Sequence, residues 1–147
     1  MTATSTPQRP FFVTVPVVDV QRSKAFFTRL GFPFDPAMDG DGSACLSVGD
    51  GTHVMILSRE RFAEFSHVPV GDPRTHALAL FSFSVATREE VDSVAAQAVA
   101  AGGREADGLE DLGFMVTRSF FDLDGHGWQV VWMNPSSRLE PDTSVRS

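Results

Sequence analysis

Four histidines, His53, His67, His76 and His126, and one cysteine, Cys45, are the side chains best suited to bind a metal or attack an electrophile. Their spacing argues against both roles. No His-x-x-x-His or Cys-x-x-Cys array brings two of them together at metal-ligand spacing. No Ser-His-Asp order, phosphate-cradling loop or dinucleotide fingerprint is present. There are thirteen Phe and two Trp but no Tyr, so a phenol is unavailable as acid, base or donor. Asp122 and Asp124 could begin a calcium loop, but the third Asp and the terminal Glu of such loops are missing. The pair reads instead as a turn-shaping element, with His126 exposed in the turn. Cys45, inside the apolar run Ser43–Val48, reads as a buried, inert thiol. Glu105, Glu110 and Asp111 could face a cationic ligand, but read rather as a solvated loop. Two polar residues on strands stand out. Arg118 can pair with a ligand carboxylate or with a neighbouring acid. Gln129 can hydrogen-bond an organic ligand or serve structure.

The elements that must position these residues follow from pattern. Phe11–Val17 is an apolar, β-branched run and reads as a strand. Asp19 caps a helix over Val20–Leu30, which Gly31 stops. Ala44–Val48 and Thr52–Leu57 read as strands joined at Gly49-Asp50-Gly51. Arg59–Phe65 is a short helical piece, followed by a Pro- and Gly-broken connection to Thr75. Leu78–Val85 is the next strand. Thr87 and Glu90 form a capping box ahead of Val91, Val94, Ala95 and Ala98, which recur at helical spacing. Met115–Phe121 and Gly127–Met133 are strands joined through Asp124-Gly125, a strong hairpin signal. An offset of 68 residues lays Phe12–Val17 on Leu80–Val85 and Asp19 on Thr87. The pattern, though hardly the sequence, therefore runs twice, as modules of about 11–58 and 77–134.

Residues 1–10 read as a flexible lead-in and 135–147 as a flexible tail, which leaves a single domain over 11–134. A net charge of −7 argues against nonspecific nucleic-acid binding. No apolar run is long enough to span a membrane, and the start does not look like a signal peptide. A cytoplasmic protein is the resulting expectation.

Alternation along the strands sorts the side chains. Val13, Val15 and Val17 oppose Phe12, Thr14 and Pro16. Phe81, Phe83 and Val85 oppose Leu80, Ser82 and Ser84. Trp128, Val130 and Trp132 oppose Gln129, Val131 and Met133. The fully apolar sides, including the Trp side, should pack beneath helices. The mixed sides suit a concave, ligand-facing surface.

With these residues in place, the chain resembles the vicinal oxygen chelate superfamily, which includes glyoxalase I, bleomycin-resistance proteins, fosfomycin-resistance enzymes and extradiol dioxygenases. The likeness rests on Val15-Pro-Val-Val-Asp-Val-Gln-Arg-Ser-Lys-Ala-Phe-Phe27 with Leu30-Gly31, and on Phe121-Asp-Leu-Asp-Gly125 followed by Trp128-Gln-Val-Val131. In character it is most similar to the lactoylglutathione lyase-like group. The resemblance implies an α+β fold of two βαβββ modules curled into a cupped mixed sheet, and a homodimer. It also implies a divalent metal held by four cup-facing residues. By position these fall on Phe12, Ile56, Leu80 and Gln129. Three are hydrocarbons, and one neutral amide cannot hold such an ion against water. The expectation is therefore a protein with no metal or cofactor that binds a small, largely apolar or aromatic molecule. Its cup would be lined by Phe12, Thr14, Ile56, Leu80, Ser82, Gln129 and Val131, with Arg118 as a further contact. The alternative is a metal-dependent lyase or an extradiol-type dioxygenase.

Overall fold

The computed structural model describes residues 8–137. Residues 1–7 of the expected lead-in and 138–147 of the expected tail lie outside it. Two sheets form. β1 (Phe11–Val17), β2 (Ser43–Gly49) and β3 (Thr52–Ser58) make the first, in the order β1-β3-β2. β4 (Leu80–Ser84), β5 (Arg104–Asp111), β6 (Met115–Phe121) and β7 (Gly127–Met133) make the second, in the order β4-β7-β6-β5. In both, the opening strand pairs parallel with the last strand of its own half, and the remaining pairs are antiparallel. A parallel pair needs a crossover. The helices α1 (Val20–Arg29) and α3 (Arg88–Ala100) lie on those crossovers. This is the expected α+β fold with a duplicated pattern. One difference is that the first half has isolated bridges, Phe34 to Leu46 and Gly40 to Ser43, where the second half has the whole of β5.

Local chemistry sets the helix ends. Asp19 accepts from Arg22 N at 3.1 Å and Thr87 from Glu90 N at 3.2 Å, each satisfying one N-terminal amide. At the end of α3 the chain turns sharply onto β6. A Cβ on Gly103 would lie 2.6 Å from the Phe121 carbonyl oxygen, so no larger residue fits there. β5 was expected as loop. It is a charged edge strand whose register shifts twice, which hides the period-two pattern while discouraging further strand pairing. Among the described residues, no helix is long and apolar enough to cross a membrane.

α1 joins the two halves. Phe26 and Phe27, both 2% exposed, reach the second sheet, where Phe27 meets Trp128 at 4.9 Å between ring centres. Phe120 lies beside Phe26, and Phe83 beside Phe32. The Trp128 side of β7 thus packs under helices, as alternation requires.

The Asp122–Asp124 turn seals this junction. Asp122 Oδ1 accepts from the backbone N–H groups of Asp124 and His126, and Oδ2 accepts from Trp128 Nε1 at 2.9 Å. Asp124 reaches across to the other half, accepting from Val18 N at 2.8 Å and from Ser23 Oγ at 3.3 Å. His126 is half-buried rather than exposed. Its Nε2 lies 2.8 Å from the Pro16 carbonyl oxygen, an acceptor only, so Nε2 carries the proton. Burial pushes the Asp122 carboxyl above the usual carboxylate range; the His126 ring, the indole N–H and the two backbone N–H groups pull the other way. Gly125 adopts φ +95°, and a Cβ there would come within 3.1 Å of the Arg74 Cα, so the connection between the halves lies directly on the turn.

Asp124→Ala strands a backbone amide and a buried hydroxyl and is expected to cost about 2–3 kcal/mol in urea unfolding. Asp122→Asn must turn an amide N–H toward either Trp128 or the backbone donors, at a cost of about 1–3 kcal/mol. Ser23→Ala, losing one long hydrogen bond, should cost about 1 kcal/mol or less. Equal effects from all three would contradict this ranking.

Candidate functional site

The register of β1 on β3 decides which side chains share the concave face. Phe12 lies beside His53, Thr14 beside Met55 and Pro16 beside Leu57, while Val15 lies beside Ile56. Ile56 is therefore on the helix side, fully buried beside Val15, Val17 and Leu46. The expectation that Ile56 lines the cup is corrected: a one-residue slip in strand parity moves a side chain to the opposite face. His53, which the sequence reading left off this face, is on it. It stacks on Phe12 at 4.9 Å with 19° between planes, and its Nδ1 is buried without a partner among the described residues.

Arg118 is also corrected. It lies opposite Val130 in the register and between Val116 and Phe120, all three fully or nearly fully buried on the helix side. Its Nη1 donates to Glu105 Oε2 at 2.9 Å, and its Nε sits 2.9 Å from Asp92 Oδ1 of α3, off the line for a hydrogen bond. Of the two readings for this residue, the structure displays the neighbouring acid. Glu105 belongs to that pair, and Asp111 is held by the Gly113 N–H and by Arg88, which keep its carboxyl below the usual range.

On the second sheet, Ser82 and Gln129 are register partners, and Ser82 Oγ donates to Gln129 Oε1 at 3.3 Å. Val131 follows on the same face, opposite Ser84. Leu80, 75% exposed, covers Gly127. Phe12 on the first sheet, and Leu80, Ser82, Gln129 and Val131 on one face of the second, line neither of the two larger pockets.

A half-open pocket lies one step away, and Thr14 is the expected residue that reaches it. α2 (Arg59–Phe65) crosses above β1 and β3 and roofs a cavity of about 660 Å³. Thr14, Ser43, Met55 and Leu57 form its floor. Arg61, Phe62, Phe65 and Ser66 form the roof, and Met38 closes one end. Ser58 caps α2 by accepting from Arg61 N, and the Arg59 guanidinium ties the next segment down through the Val70 and Gly71 carbonyls. A second cavity of about 370 Å³ lies under that segment and shares Thr14, Phe62 and Ser66 with the first. Sequence reasoning missed Met55, Leu57, Phe62 and Phe65. The available signal was Phe62 and Phe65, one helical turn apart in a short element that needed something to cover.

The residues at the implied metal positions do not fit a divalent ion. Phe12 and Leu80 have no lone pair, Ile56 faces the core, and the Gln129 oxygen already accepts from Ser82. Among the described residues, no three His, Cys, Asp or Glu side chains converge. His53 adds one imidazole, which falls short of the three or four ligands such sites use. Cys45 is buried, and burial together with Asp35 raises its thiol pKa, disfavouring the reactive thiolate.

A family profile described as "Glyoxalase/Bleomycin resistance protein/Dioxygenase superfamily" matches residues 9–130. Among curated proteins, none matches the chain. Solved structures do. A hypothetical protein from S. aureus is 24% identical over 83% of this chain and 92% of its own, with a TM-score of 0.73. A glyoxalase-related enzyme from Fulvimarina pelagi is 21% identical over 92% and 95%, with a TM-score of 0.74. A genomically encoded fosfomycin resistance protein from Listeria monocytogenes is 17% identical over 95% and 100%, with a TM-score of 0.61. At these identities the likeness is one of fold.

The donor set generates a direct expectation. Chelator-treated protein titrated with Ni²⁺, Zn²⁺, Mn²⁺ or Fe²⁺ should show no saturable rise in melting temperature. A stoichiometric, saturable rise with any of them would contradict the geometry argued above.

Proposed function

The chain belongs to the glyoxalase/bleomycin resistance/dioxygenase superfamily, and within it we propose a metal-free binding protein that holds a small, largely apolar or aromatic molecule in the cavity beneath α2. One observation carries this reading: a cavity of about 660 Å³ whose walls are mostly thioether, phenyl and aliphatic groups, with the hydroxyls of Thr14, Ser43 and Ser66 among them. A cavity of 300–1,000 Å³ with few polar groups suits a drug-sized molecule held by burial and one or two hydrogen bonds. The residues Phe12, Leu80, Ser82, Gln129 and Val131 are the remainder of the expected cup lining and lie outside this pocket. The lactoylglutathione lyase-like reading, and a dioxygenase, would require a metal to polarise adjacent oxygens. The donor set at the implied positions supports neither.

The proposal treats residues 11–134 as one domain of two modules and the protein as a cytoplasmic homodimer. Two features support the dimer. β1 and β4 each leave one edge unpaired, and Phe11, Phe12, Leu78 and Leu80 are exposed on or beside them.

Thermal-shift measurements across an aromatic and antibiotic library should find saturable stabilisers that act on chelator-treated protein. Thr14→Trp, which fills the floor of the cavity, should abolish those shifts while leaving the unliganded melt cooperative. A flat response across the library with wild-type protein would overturn the proposal. Sedimentation equilibrium should give twice the chain mass; a monomer at micromolar concentration would remove the dimer from it.

A further inference from the structure

The charge inside the cavity differs from the charge of the whole chain. The chain carries −7, which by itself would favour a cationic ligand. Yet among the described residues no carboxylate lines the 660 Å³ cavity, and Arg61 is its one ionisable side chain. The adjoining cavity also lacks a carboxylate and contributes His76 and His126. A cation held there would meet no carboxylate among the described residues and would sit close to a guanidinium, which repels it.

Arg61 is placed to serve as the polar end of the site. Its backbone N–H is fixed by Ser58 Oγ, and its stem packs so closely on Gly42 that a Cβ there would lie 2.7 Å from Arg61 Cγ. Among the described residues its acidic partner within 4 Å is Glu64, 3.8 Å from Nε, and both side chains are more than half exposed. Such a pair is weak and solvent-screened. It engages the Nε side and leaves the Nη fork without a carboxylate among the described residues. A planar guanidinium fork matches a carboxylate through two parallel hydrogen bonds. The methionines and phenylalanines beyond it offer an adaptable apolar bed.

From this we infer that the ligand of the α2 cavity is an amphipathic organic anion: a carboxylate read by Arg61, on an apolar or aromatic body seated against Met55, Leu57, Phe62 and Phe65. The inference rests on the binding proposal above and adds the ligand's charge and orientation. It also gives α2 a role beyond that of a roof, since the same short helix supplies both the apolar cover and the anion partner.

Three isosteric probes test it: 2-naphthoic acid, 2-naphthamide and 2-naphthylmethylamine, titrated calorimetrically into chelator-treated wild type, Arg61→Gln and Arg61→Lys. The acid should bind wild type about tenfold or more tightly than the amide, and the amine most weakly. In Arg61→Gln the acid should fall to the level of the amide, whose own affinity should not change. Arg61→Lys, keeping the charge but losing the fork, should fall between. Nonspecific attraction to a chain of net charge −7 would favour the amine, so a preference for the acid reports the local site. Equal binding of acid and amide, an acid preference that survives Arg61→Gln, or tightest binding of the amine would each overturn the inference while leaving the binding proposal intact. Failure of all three probes to bind wild type would overturn both.

Discussion

The fold depends on one constraint, the docking of the Asp122–Asp124 turn onto the start of α1. Asp122 gathers three donors of its own hairpin, and Asp124 captures an amide and a hydroxyl from the other half. Both aspartates are under 10% exposed. Carboxylates so placed must be fully hydrogen-bonded, because an unmet buried charge costs far more than the bonds contribute. The turn therefore fixes where the second sheet sits relative to α1, and with it the contacts of Phe26 and Phe27 on Phe120 and Trp128. The two sequence segments that carry the superfamily likeness, around Ser23 and around Asp124, prove to be the two sides of this contact.

From that junction the rest of the site follows. Fixing β1 by Val18 and Pro16 sets its concave side toward Thr14, and parallel pairing brings Met55 and Leu57 onto the same face. The long connection after β3 then has a surface to cover. It places α2 over that surface, with Arg59 securing the following segment to the helix. The result is a half-open, largely apolar pocket beside an open sheet face, in a scaffold whose implied metal positions carry Phe, Ile, Leu and an occupied Gln. Membership in the superfamily supplies the architecture. The chemistry available in it is decided by these residues.

Much of this was legible in the sequence because local rules act within a few residues. The caps at Asp19 and Thr87, the strand Phe11–Val17 and the inward side of Trp128 all follow from patterns shorter than a dozen positions. Ile56 and Arg118 were misplaced for different reasons. The face of Ile56 depends on register with a partner strand, a long-range property. For Arg118 its own strand held the answer, since Val116 and Phe120 flank it at even spacing on the buried side. β5 was hidden by its edge position, where charged residues and register shifts replace alternation. The cavity was legible only in part: Phe62 and Phe65 signal that the short helix covers something, but the floor is set where that helix meets strands that precede it in the chain.

The central claim is that a ligand binds without metal beneath α2, and the methionine methyl groups test it most directly. Met38 and Met55 line the cavity, while Met115 and Met133 are register partners at the far end of the second sheet. Methyl-labelled methionine spectra of chelator-treated protein, titrated with an aromatic ligand found by thermal shift, separate these places. The account predicts saturable shifts at Met38 and Met55 with Met115 and Met133 unmoved. Shifts confined to Met115 and Met133, or shifts at any methionine that require an added metal ion, would contradict it.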